Sequence, residues 1–131
     1  MILALRTDSP MAEIYLVSNY QEIDQIKWLA QRNLADELLI KIEELLKNNN
    51  TQLNDLGGII VFTGEGSFTG LRIGTTVANS IAYALSIPVL ASSGKDWILS
   101  GAKKLVTAKS NNYVIPQYSA EPNITSPKPK T

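Results

Sequence analysis

Residues 56–62 read Leu-Gly-Gly-Ile-Ile-Val-Phe, a nearly unbroken apolar run. A strand covered on one face only would alternate apolar with polar residues. Consecutive apolar residues need cover on both faces, the condition of a strand inside a parallel sheet flanked by helices. This run therefore restricts the chain to a layered α/β fold. It leads directly into Gly64-Glu65-Gly66-Ser67-Phe68-Thr69-Gly70-Leu71-Arg72. Residues 69–85 then read as a helix stopped by Ile87 and Pro88, and residues 89–91 as a short strand.

Upstream, residues 2–7 are a short apolar run and residues 12–17 a β-branched and aromatic one, separated by the turn signal Asp8-Ser9-Pro10, which predicts a hairpin. Residues 22–29 fit two periods: Ile26 and Trp28 alternate as in a strand, whereas Ile23, Ile26 and Ala30 suit a helix. A third strand is the expectation. Asn33 is placed to cap a helix, with Asp36 as its capping-box partner. Leu34, Leu38, Leu39, Ile42, Leu45 and Leu46 then form a stripe, while Glu37 with Lys41 and Glu43 with Lys47 decorate the other side. The Asn48–Asn50 cluster should end this helix, and Ser93 with Asp96 should start a third. After Leu105, prolines, asparagines and lysines give a segment that cannot bury enough surface to fold alone. The expectation is one α/β lobe over residues 1–105, with a mixed sheet, three N-terminal strands and packed helices, followed by a linker and tail over 106–131.

Twelve basic and twelve acidic residues cancel, so no charge excess points to nucleic acid or an anionic membrane. The chain has no cysteine, hence no disulfide framework and no thiol nucleophile. It also has no histidine, the usual general base near neutral pH and the commonest transition-metal ligand. Only carboxylates remain for acid-base or metal chemistry, and no catalytic or metal residue is assigned. The first residues read as a strand and not as a signal peptide, and no apolar run is long enough to span a bilayer. A cytoplasmic location with no membrane partner is expected.

The glycines of residues 64–74 admit two explanations. Bare amides at a helix N-terminus bind anions, but the run lacks the Lys-Ser/Thr of a Walker A loop, and Glu65 adds negative charge. Ser67 or Thr69 as N-cap accounts for the hydroxyls without a ligand. The alternative is close approach. Gly70, Gly74, Ala78 and Ala82 recur every four residues and line up on one helix face, flanked by Ile73, Val77 and Ile81. Two helical glycines cost about 1 kcal/mol each relative to alanine, which close packing would offset. The partner packed so closely is either the domain's own sheet or the helices of another protein.

The glycine run, with Gly64, Gly66, Ser67, Phe68, Thr69, Gly70, Leu71, Arg72, Ile73 and Gly74 in place, together with "ILALRT" and "IPVLASS", resembles the TsaB (YeaZ) family. Residues 1–100 carry the resemblance, and "VIPQYSAEPNITSPKPK" looks like the family's C-terminal tail, with most of a second lobe missing between them. The resemblance implies an actin-like (ASKHA, RNase H-like) lobe without robust catalysis of its own. Such a lobe serves as partner to the catalytic subunit TsaD and the ATPase TsaE in making N6-threonylcarbamoyladenosine (t6A) in transfer RNA, which it meets only indirectly. It implies pairing with TsaD through the first two helices, here at Gly70, Ile73, Gly74, Val77 and Ala78, with Leu38, Ile42 and Leu45 from the first helix. No cofactor is expected, save ATP and magnesium at an interface shared with partners. Two departures matter. Arg6 stands where the family has an Asp after the first strand, and Leu34, Ala35 and Ile40 replace the family's His, Ser/Thr and Pro. An actin-like ATP-binding domain and a self-associating homodimer module are the alternatives.

Overall fold

The computed structural model describes residues 1–31, 33–64, 68–108 and 114. The elements run β1 (Ile2–Arg6), β2 (Met11–Ser18), β3 (Gln21–Leu29), α1 (Leu34–Asn48), a 3-10 turn (Leu53–Asp55), β4 (Gly58–Phe62), α2 (Phe68–Leu85), β5 (Val89–Ser92) and α3 (Trp97–Leu105). They form a five-stranded mixed sheet of order β3-β2-β1-β4-β5. The three N-terminal strands are an antiparallel meander, while β4 lies parallel to both β1 and β5. The third strand expected over 22–29 is present. It is joined to β2 through Asn19 and Tyr20, both at positive φ (53° and 65°), the two-residue turn whose twist matches paired strands.

Alternation along each strand sorts side chains onto two apolar layers. Leu3, Leu5, Ile14, Leu16, Ile59 and Val61 face α1 and α2 in one cluster. Ala4, Tyr15, Val17, Ile60 and Phe62 face the other way and pack with Trp97, Ala102 and Leu105 of α3. The central strand β4 is buried at all five positions, as its unbroken apolar run requires. Close seating of α3 depends on Gly101, where a Cβ would meet Ile60 Cγ2 at 2.7 Å.

The capping expectations hold in part. The Asn33 side chain accepts the Asp36 amide at 3.3 Å. Asn49 closes α1 by donating from Nδ2 to Leu45 O (2.8 Å) and to Asp24 Oδ2 (2.9 Å), tying the helix end to β3. The bond from Asn49, then that from the Gln25 amide, holds the Asp24 carboxyl below its ordinary pKa. Glu37 accepts from Trp28 Nε1 at 3.1 Å and Lys41 reaches Glu44 at 3.6 Å. Ser93 does not start the third helix: Gly94 takes a positive φ of 88°, the chain turns there, and Asp96 is the N-cap residue. The proposed caps of α2 divide similarly. Thr69 already lies inside the helix, whereas Ser67 and the anion question raised by residues 65–67 fall outside the described residues.

Candidate functional site

The small-residue strip of α2 faces inward. Gly70 and Gly74 are buried, and Ala78 and Ala82 have no exposed surface. Thr7, at the end of β1, donates its hydroxyl to Gly70 O at 2.8 Å. A Cβ on Gly74 would lie 2.2 Å from Thr7 Oγ1 and 3.3 Å from both Thr7 Cβ and Cγ2. The strip therefore lets α2 sit directly on the protein's own sheet. The expectation that it faces outward to admit a foreign helix is corrected: Gly74 makes room for Thr7, which bonds to Gly70 O across 63 residues of sequence.

The same burial applies to most residues assigned to a partner contact. Leu38 and Leu45 are fully buried, Ile42 and Val77 nearly so, and all belong to the core between helices and sheet. Ile73 alone among the eight is partly exposed, in a shallow groove lined by Ala35, Thr69, Arg72, Thr76 and Val77. The exposed apolar surface of the helix layer lies elsewhere. Leu39 is 51% exposed, Ile40 61% and Leu53 43%. With Ile42, Leu46 and Ile81 they line an open groove of about 780 Å³ between α1, the 3-10 turn and α2. The signal was present in the sequence. Leu38, Leu39 and Ile40 are consecutive, and at about 100° per residue they span about 200° of a helix, more than one sheet can cover.

At the carboxyl end of the sheet, Arg6 Nε donates to Asp8 Oδ1 at 2.9 Å and Nη2 to Asp8 Oδ2 at 3.3 Å. The guanidinium carbon lies 3.8 Å from the centroid of the Phe62 ring. Asp8 first of all, then the charges of Glu13 and Tyr15, favours the charged form of Arg6 against partial burial. Among the described residues, a divalent cation at this strand end would meet the Arg6 guanidinium, paired with Asp8 and facing Glu13, and that arrangement does not fit one. Among the described residues no three His, Cys, Asp or Glu side chains gather as metal ligands.

Phe62 and Tyr15 both meet Trp97 edge-on, at 5.5 and 5.9 Å between centroids. The Tyr15 hydroxyl donates to Glu13 Oε1. Burial chiefly, then that bond and the Glu13 charge, raises the Tyr15 pKa well above its ordinary value. A raised folded-state pKa contributes stability fully present below the unfolded value of about 10 and lost as pH rises beyond it. Urea midpoints should therefore fall between about pH 9 and about pH 11, and fall less in Tyr15→Phe. Equal losses in the two proteins would contradict this.

Residues 15–119 match the family model described as "TsaD: tRNA N6-adenosine threonylcarbamoyltransferase". The chain belongs to that family and is TsaB/YeaZ-like within it. It is 30% identical over 109 residues to the Haemophilus influenzae protein named "tRNA threonylcarbamoyladenosine biosynthesis protein TsaB", covering 83% of this chain and 46% of the relative. The Bacillus subtilis protein of the same name is 29% identical over 102 residues, covering 78% and 44%. The solved structure "YeaZ from Pseudomonas aeruginosa" superposes with a TM-score of 0.64 at 32% identity, covering 70% of this chain and 43% of that one. The fold is thus the ASKHA-like α/β lobe of a TsaB-like chain, and it spans less than half the length of these relatives. Among the described residues no helix is long and apolar enough to cross a membrane.

Proposed function

We propose that this chain acts as a non-catalytic partner subunit in t6A synthesis on transfer RNA, docking on a TsaD-type catalytic subunit through the outer face of α1 and α2. The observation that carries the reading is the groove in which Leu39, Ile40 and Leu53 stand exposed beside the rims of Ile42, Leu46 and Ile81. Exposed aliphatic side chains gathered along one groove of the helix layer are suited to receive the apolar face of other helices. The surface differs from the one expected from the small strip: the strip fixes α2 to the sheet, the edge of the buried Ile81 lines the groove with Leu39 and Ile40, and Ile73 lies in a separate shallow groove beside Ala35.

In this reading the partner supplies the catalysis. The chain contains neither histidine nor cysteine, and the strand end where an acid would be needed holds the Arg6–Asp8 pair. It requires no cofactor of its own, any ATP with magnesium being held at an interface shared with partners. A TsaE-type ATPase belongs to the same assembly, transfer RNA is met indirectly, and the setting is the cytoplasm. A second copy of this chain would compete for the same groove.

The test is size-exclusion chromatography of the chain with the TsaD-type subunit of the same source, followed by t6A formation on transfer RNA with and without the chain. Co-elution and a gain in t6A are expected. Separate elution with t6A formation independent of the chain would overturn the reading, and elution of the chain as a dimer indifferent to that subunit would favour self-association.

A further inference from the structure

Among the described residues β3 ends the sheet and has β2 alone as its strand neighbour. In an antiparallel pair, successive residues direct their N–H and C=O alternately toward the neighbour and away from it. Ala30 N donates to Pro10 O at 2.9 Å, which sets Asp24, Ile26 and Trp28 inward and leaves Gln25, Lys27 and Leu29 facing the open side. Such an edge is a template for another strand. The middle of this one is filled from within the chain. The Gln25 amide donates to Asp24 Oδ1 at 2.8 Å, and Asn49 Nδ2, which also donates to Leu45 O, holds Asp24 Oδ2 at 2.9 Å. The carboxylate is thus pinned to the end of α1 while it covers the edge. Beside it the register with β2 slips from Leu16↔Asp24 to Val17↔Glu22, so Ile23 is the extra residue of a bulge that bends the strand.

We infer that Asp24 guards the β3 edge against strand addition, and that the strand it keeps out is β3 of a second copy of this chain. A two-fold contact needs a surface that complements itself. Centred on Ile26, it would set Gln25 of each copy against Lys27 of the other, and Leu29 against Ile23, which are 54% and 46% exposed. Centred on Lys27 or on Asp24, it would set like charges face to face. The first register needs the Gln25 N–H to donate to the carbonyl of Lys27 in the other copy. Asp24 already takes that proton, and its negatively charged oxygen would confront the entering carbonyl. A charge on the edge and a bulge beside it are the devices by which sheet edges are kept apart. No β3 residue lines the groove proposed to receive the catalytic subunit, so the guard acts on a separate surface.

Sedimentation equilibrium on the full chain tests the guard. All proteins carry Ile40→Lys, so that association through the α1–α2 groove, which Ile40 lines, does not contribute. Adding Asp24→Ala should tighten self-association at least about tenfold. Adding Gln25→Pro as well should reverse the gain, because proline removes the outward N–H without taking a bond from the β2 ladder. No tightening in Asp24→Ala, or tightening that survives Gln25→Pro, would overturn the assignment. Should either substitution unfold the lobe, amide exchange in the wild type still decides. The Gln25 amide should exchange at least about tenfold more slowly than that of Lys27, its outward neighbour, since Asp24 must first let it go. Equal rates at the two positions sink the guard.

Discussion

Gly74→Ala is expected to destabilise the fold by about 2 kcal/mol, although alanine is the better helix former by about 1 kcal/mol. The added methyl would lie 2.2 Å from Thr7 Oγ1. Rotating Thr7 would move Oγ1 away but still leave its Cβ and Cγ2 tight, 3.3 Å from the same point in the present rotamer. Either α2 lifts from the sheet, or Thr7 gives up its bond to Gly70 O and leaves a buried hydroxyl unpaired, a loss of about 1–3 kcal/mol. Leucine at this position would require a larger displacement and should prevent stable folding. Urea denaturation measures the effect, and the double variant Thr7→Ala with Gly74→Ala should recover most of the loss. An unaltered or raised midpoint in Gly74→Ala alone would show that the helix does not rest on Thr7.

Ile40→Lys is expected to leave the urea midpoint within about 0.5 kcal/mol of wild type, since Ile40 is 61% exposed and outside the core. Binding to the TsaD-type subunit should weaken by about 10- to 100-fold, equivalent to about 1.4–2.8 kcal/mol, for loss of a central aliphatic contact and burial of an unpaired ammonium. Leu39→Lys, one position round the helix, should act in the same direction. Val106→Lys, at a site 71% exposed on the opposite layer, should leave binding unchanged. Titration by calorimetry or surface plasmon resonance reads all three. Unchanged affinity in both α1 variants would remove this groove from the interface.

These two substitutions separate functions that sequence periodicity alone merges. The four-residue repeat of Gly70, Gly74, Ala78 and Ala82 correctly predicts that they share a face and that something approaches it closely. It carries no information about which body approaches, because Thr7 lies 63 residues away and its reach into the strip exists only after β1 and α2 are assembled. Leu38, Ile42 and Leu45 were legible as an apolar stripe for the same local reason, and their burial in the chain's own core was not. Leu39 and Ile40 held the converse signal, as apolar residues too far round the helix to be covered by the sheet that covers Leu38.

What the sequence determined by itself is local and periodic. The double-sided burial of β4, the alternation that sends Leu3 and Ala4 to opposite layers, the cap at Asn33 and the third strand all follow from residues within a few positions of one another. Only the tertiary structure decided what covers each face. Thr7 beneath Gly74, Asp8 and Phe62 around Arg6, and Val114 on Asn79 are settled by contacts between distant parts of the chain. Side-chain spacing fixes direction relative to a helix or strand axis, whereas burial depends on how those axes are laid against each other.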